Sequence, residues 1–98
     1  MSNLRFEWDE RKNTTNMRKH GVSFEAAASV FADESALLMD DADHSSDEDR
    51  FILMGLSHSL RVVLVFHCFR KSEDLIRIIS ARKASRAERE QYVQRWSR

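Results

Sequence analysis

The chain predicts an α+β domain: a small, mostly antiparallel sheet with two helices before it and one after it. Three observations predict this. Three apolar, β-branched runs follow one another between residues 50 and 82 with short links, as consecutive antiparallel strands do. Two capped helix starts, at Asp9 and Ser23, precede them. A third, Ser85-Arg86-Ala87-Glu88, follows at once and matches the S-x-x-E capping box.

Residues 4–8 alternate with period two and read as a short first strand. Asp9 caps a polar helix to about His20, with Gly21 as its stop. Few apolar residues lie in it, so it is expected to sit shallowly on the surface. Ser23 caps a second helix from Phe24 to about Phe31, whose Phe24, Ala27, Ala28 and Phe31 recur at helical spacing. Ser35 to Met39 reads as a short strand, and Asp40 to Asp49 as an acidic, solvent-exposed loop. The strands Arg50–Ser57, Arg61–Phe69 and Leu75 to about Arg82 should pair as a meander. The last two are apolar on both faces, which places them inside the sheet. The final helix carries Tyr92, Val93 and Trp96 on one stripe. The predicted order is β-α-α-β-β-β-β-α.

A length of 98 residues suits one domain, spanning 1–98. No apolar run approaches the ~20 residues of a membrane span, and Met1 to Arg5 lacks the apolar core of a signal peptide. Cys68 is the sole cysteine, so no internal disulfide forms. A soluble, cytoplasmic protein without a membrane partner is expected. The net charge of zero hides an asymmetry: residues 31–50 carry −7 and residues 61–98 carry +6. A basic C-terminal third points to an anionic partner if its cations share one face. Otherwise the acidic loop and basic sheet neutralise each other.

Several strings resemble the BrnT family of toxins. They are Lys19-His20-Gly21-Val22-Ser23-Phe24, Asp43-His44-Ser45, Glu48-Asp49-Arg50-Phe51 and, most specifically, Arg77-Ile78-Ile79-Ser80-Ala81-Arg82-Lys83-Ala84. The resemblance runs from Phe6-Glu7-Trp8-Asp9 to the last helix. It implies a RelE-like fold and a small ribonuclease toxin of a type II toxin–antitoxin system. Such a toxin cuts RNA without a metal cofactor and arrests translation. It also implies a BrnA-type antitoxin with a ribbon-helix-helix domain, through which alone the complex reaches DNA.

Metal-free RNA cleavage needs a base for the 2′-hydroxyl, an acid for the leaving oxygen and cations for the phosphorane. Arg77 is the first candidate, as a phosphate ligand or as the ion-pair partner of an acid such as Glu7. Regular alternation places Arg77 with Leu75, Ile79, Ala81 and Lys83, and Arg82 on the opposite face unless a bulge redirects it. His67 is a candidate acid or base, or a structural strand histidine. Arg70, Lys83, Lys19 and His20 are candidate RNA contacts. For His20 the alternative is a cation complementing a helix end, and for Arg70 and Lys83 a solvated strand end.

Trp8, Tyr92 and Trp96 are the aromatic residues considered for base stacking. His44 among Asp40, Asp41, Asp43 and Asp47 matches no compact metal motif, so no metal site is assigned. Cys68 reads as a small core residue. The leading reading is therefore a metal-independent endoribonuclease needing no cofactor. Its rivals are a non-catalytic RNA- or protein-binding module and, more weakly, a hydrolase with a metal in the acidic loop.

Overall fold

The computed structural model describes residues 4–44, 48–70 and 72–95. Strand β1 (Arg5–Glu7) leads into helix α1 (Glu10–His20) and helix α2 (Phe24–Ser29). Strands β2 (Leu37–Asp40), β3 (Phe51–Leu56), β4 (Val62–Arg70) and β5 (Ser72–Lys83) follow, and helix α3 (Arg86–Gln94) comes last. This is the expected order, with shifted ends. The last expected turn of α2 tightens into a 3-10 turn over Val30–Ala32. β2 begins beyond Ser35 because the Ser35 N–H bonds the Asp33 carboxylate at 2.9 Å, which holds a turn there. The expected roles of Trp96 and Asp47 fall outside the described residues.

The sheet runs β1-β5-β4-β3-β2. Its three pairings from β2 to β5 are antiparallel, and β1 adds to β5 in parallel, so the sheet is mixed. β4 and β5 are inner strands, as their two apolar faces require. Parity along β4 defines the faces. Val63, Val65, His67 and Phe69 lie under α1 and α2, in a core with Phe24, Ala27, Val30, Ile76 and Ile78. Leu64, Phe66 and Cys68 look the other way, where Tyr92 of α3 packs on Met54, Leu64 and Ala84. Val93 is 56% exposed, so it does not share the buried stripe of Tyr92. Fully burying side chains of this size stabilises by about 1.5–3 kcal/mol each.

Two glycines answer specific needs. Gly21 ends α1 at φ 70° and donates to the Met17 carbonyl, a left-handed stop that suits glycine. Gly55 lies so close to the 3-10 turn and the loop after it that a Cβ would meet Ala36 Cβ at 2.8 Å and Val30 Cγ1 at 2.9 Å.

α1 is not the loosely laid surface helix that its composition suggested. Asn13 and Asn16 are buried and act as polar clamps. The Asn13 side-chain oxygen Oδ1 accepts from Phe24 N–H at 2.8 Å, tying α1 to the start of α2. The Asn16 amide donates to the carbonyls of Val22 and Ala81, each at 2.8 Å, and accepts from Ala81 N–H at 3.1 Å. β1 pairs only with Leu75–Arg77, so β5 beyond that point has an uncovered edge. α1 fills it, with an asparagine standing in for a strand.

Candidate functional site

A bulge in β5 decides which side chains meet. Phe66 pairs with Ser80 but His67 pairs with Ile78, leaving Ile79 without a partner. The extra residue reverses the alternation of β5. Ala81 therefore turns to the core under α1, whereas Ser80 and Arg82 share the second face with Arg77. Regular alternation had placed Arg82 opposite Arg77; the bulge is the reason it is not.

Sharing a face does not join the two arginines. Arg77 pairs with Cys68 and Arg82 with Leu64, four positions apart along β4, a separation of about 13 Å. Arg77 donates to the Glu7 carboxylate at 3.0 Å. Arg70 lies 3.7 Å from Glu7 and 3.8 Å from Glu48. Glu48 also accepts from the Cys68 thiol, whose pKa burial pushes up, so it stays an unreactive thiol. Arg77 and Arg70 thus belong to a charge network closed by two carboxylates. Arg77 makes the ion pair with Glu7 that the sequence offered as the alternative to a phosphate contact.

Arg82 is placed differently. It lines a cavity of about 290 Å³ with His20, Asp41, His44, Arg50, Phe66 and Ser80. That volume is near the lower end for ligand sites. Its guanidinium sits over the Phe66 ring, 5.9 Å from the centroid. Two donors, Nη1 and Nη2, meet the Glu88 carboxylate at 2.8 and 2.9 Å. The side-chain hydrogen bond from Arg82 is the main reason the Glu88 carboxyl is pulled down to about 2. Glu88 also completes the capping box of α3 with Ser85.

His44, on a short 3-10 turn after β2, faces Asp41 with Nδ1 3.0 Å from the carboxylate. Asp41 is 8% exposed and its backbone N–H bonds the Arg50 carbonyl at 2.9 Å, so the base of the acidic loop is fixed rather than solvated. His20 joins the cavity lining from the last turn of α1. The cavity therefore gathers two histidines, a carboxylate and two arginines from four separate segments. Only His20 and Arg82 stood out in the sequence beforehand. Asp41 and His44 drew notice only as metal ligands weighed in an acidic loop, and Arg50 only as the start of a strand. His44 and Arg50 stand in the strings of the family resemblance, which was the available signal, and Asp41 stands in none of them.

A second groove of about 290 Å³ adjoins the first, sharing His20, Ile79 and Ser80, and is lined on α1 by Arg11, Lys12 and Lys19. Among the described residues these three cations form no ion pair. Lys83 is exposed but lies on the other face, paired with Val63 and beside Gly21, away from the cavity.

His67 is elsewhere too. It is 0% exposed, enclosed edge-on by Phe31 and Phe69 with Phe51 tilted against it. Nδ1 lies 3.0 Å from the Val65 carbonyl, which fixes Nδ1 as the protonated nitrogen. Nε2 has no hydrogen-bond partner among the described residues. Burial lowers its pKa, against the opposing pull of that hydrogen bond. A histidine sealed on the covered face cannot reach a phosphate on the other, so the expected acid–base role does not fit its placement. Trp8 packs edge-on against Phe24 and bonds Glu10, and Tyr92 is buried, so neither offers a face for stacking. Among the described residues no three His, Cys, Asp or Glu side chains are grouped so as to hold one metal ion, and no helix is long and apolar enough to cross a membrane.

The family model described as "Ribonuclease toxin, BrnT, of type II toxin-antitoxin system" matches residues 8–88. That span holds every residue of the cavity. The solved structure of the Brucella abortus ribonuclease toxin BrnT is similar at 26% sequence identity and a TM-score of 0.63, covering 85% of this chain and 99% of that one. No curated protein matches the chain.

Proposed function

The chain belongs to the BrnT family of ribonuclease toxins of type II toxin–antitoxin systems, and from that premise we propose that it cuts RNA in the cavity lined by Arg82, Arg50, His20 and His44. The observation that carries this reading is the convergence of those four side chains on one cavity. They supply the parts a metal-independent cleavage requires. A base must take the 2′-hydroxyl proton, whose oxygen attacks the adjacent phosphorus. An acid must protonate the departing 5′-oxygen, and cations must hold the extra charge on the phosphorane.

His44 serves as the base. Asp41 holds its Nδ1–H and leaves Nε2 to accept a proton. His20, from the last turn of α1, serves as the acid. Arg82 and Arg50 face the phosphate, where a planar guanidinium engages two oxygens at once. Lys19, with Arg11 and Lys12 in the adjoining groove, takes the backbone of flanking nucleotides. Single-stranded RNA suits such a groove, since its phosphates can follow a curved basic track. Arg77, Arg70 and Lys83 are assigned to structure and solvent, and His67 to the core.

The remaining expectations keep the same basis. The whole chain acts as one RelE-like toxin domain in the cytoplasm, arrests translation, and is neutralised by a BrnA-type ribbon-helix-helix antitoxin through which the complex reaches DNA. The family membership supports them.

The test is cleavage of purified RNA with chelator present, followed across pH. The expected result is a bell-shaped profile for the parent that loses one limb in His44→Ala and the other in His20→Ala. Cleavage that needs an added divalent cation, or a profile unchanged by both substitutions, would overturn the proposal. Salt-sensitive RNA binding without cleavage would select a binding module instead.

A further inference from the structure

Arg82 is held by two partners that use only part of its hydrogen-bonding capacity. A guanidinium presents five N–H groups on three edges. The end edge, Nη1 with Nη2, is taken by the two oxygens of Glu88. The remaining Nη1 hydrogen faces the Lys83 carbonyl at 3.3 Å. What is left is the side edge, Nε–H with the second Nη2–H, and among the described residues no acceptor engages Nε. That edge is a complete two-pronged donor, with the spacing that fits two oxygens of one phosphate.

We propose that Glu88 is the positioning residue of the RNA site. It locks the end edge of Arg82 and so offers the side edge, in one fixed orientation, to the phosphate being cleaved. This rests on the reading of the cavity as the RNA site. The geometry supports it from both ends. The Phe66 ring lies on one side of the guanidinium, its centroid 5.9 Å from Cζ. Glu88 is in turn fixed by accepting from the Ser85 N–H at 2.7 Å while Ser85 Oγ accepts from Glu88 N–H at 3.2 Å. The carboxylate therefore does not move to follow a wandering arginine; the arginine is held to it. A free arginine would have to give up rotamer freedom at the moment of reaction. α3 carries this anchor, which links the seating of the C-terminal helix to the readiness of the site.

A positioning carboxylate has a kinetic signature distinct from loss of fold. Glu88→Gln keeps a side chain competent for the capping box, removes the second acceptor oxygen and deletes a negative charge beside the substrate. Ground-state attraction of RNA should then be unchanged or stronger, while the oriented contact made in the transition state is weakened. The expected result is a kcat lower by about tenfold with KM equal or lower. Glu88→Ala, which also loses the cap, should show the same fall in kcat together with a lower melting temperature. A kcat for Glu88→Gln equal to or above that of the parent would overturn the proposal, because Glu88 would then be a helix cap or a mask on Arg82.

A second readout does not depend on cleavage. In the ¹⁵N-labelled full chain, the Arg82 Nε–Hε signal is identified by its absence in Arg82→Lys. It should be resolved and sharp in the parent, shift on addition of a short all-DNA strand that lacks the 2′-hydroxyl, and collapse into the averaged arginine signals in Glu88→Gln. A signal equally sharp in Glu88→Gln would overturn the proposal, and so would a parent signal that the strand leaves unmoved. If the parent fails to cleave RNA, the functional reading fails, while this spectrum still decides whether Glu88 orders Arg82 toward an anion.

Discussion

Asn16 and Ala81 are 65 positions apart in sequence and exchange two hydrogen bonds: the asparagine amide donates to the Ala81 carbonyl and accepts from its N–H. This is the pairing a neighbouring strand would make, supplied by one side chain from a helix. It seals the open edge of β5 and places the last turn of α1, with His20, beside the cavity. Asn16→Ala leaves a buried N–H and C=O unpaired and is expected to cost about 2–3 kcal/mol. Asn16→Asp keeps the size but sets a carboxylate oxygen against two carbonyls, and should cost more. Urea titration with unchanged m-values would check both.

The two arginines of the Arg77-Ile78-Ile79-Ser80-Ala81-Arg82 string should behave oppositely. Arg82 lines the cavity, and Arg77 answers Glu7. Arg82→Ala is expected to lower kcat by about a hundredfold in a protein that still folds. Arg77→Ala should cleave within a few fold of the parent and instead lose some stability at the β1 edge. Single-turnover cleavage and thermal melts, run on both variants, separate these outcomes. Equal loss of activity in both would place the site on the Glu7 network instead.

The buried His67 should make the fold sensitive to acid. Its folded pKa lies below histidine's ordinary 6.5, so the unfolded chain takes up a proton that the native state refuses. Its contribution is complete above about pH 6.5 and declines as pH falls from there toward the folded value. His67→Phe fits a box already lined by Phe31, Phe51 and Phe69. It is expected to flatten the pH dependence of stability in that window and to leave RNA cleavage intact. Melting temperatures across that range, with one cleavage assay, decide this.

Leu60 occupies the hairpin turn between β3 and β4 at φ 63° and is 79% exposed. A branched side chain in the left-handed region costs about 1–2 kcal/mol, and almost no burial offsets it. Leu60→Asn, which tolerates that region, is expected to stabilise by roughly 0.5–1 kcal/mol without touching the cavity. A chemical denaturation midpoint that fails to rise would show that the left-handed conformation at Leu60 costs the fold little.

By itself the sequence determined the elements and their order, because those signals are local. Asp9, Ser23, Ser85 and Gly21 mark helix ends through their own hydrogen bonds and dihedral preferences, and each sits where its chemistry requires. The apolar runs of β4 and β5 announced inner strands because both their faces had to be buried. The family was also legible, since its strings are contiguous. What the tertiary structure alone decided is which side chains share a site. One unpaired residue, Ile79, reverses the faces of β5 and turns Arg82 onto the side of Arg77, and no alternation rule foretells a bulge. β1 reaches along β5 only to Arg77, which leaves open the edge that Asn16 occupies. The acidic loop brings His44 and Arg50 across from another strand pair. Each of these depends on contacts between segments far apart in the chain, where local preference is silent and packing is what selects.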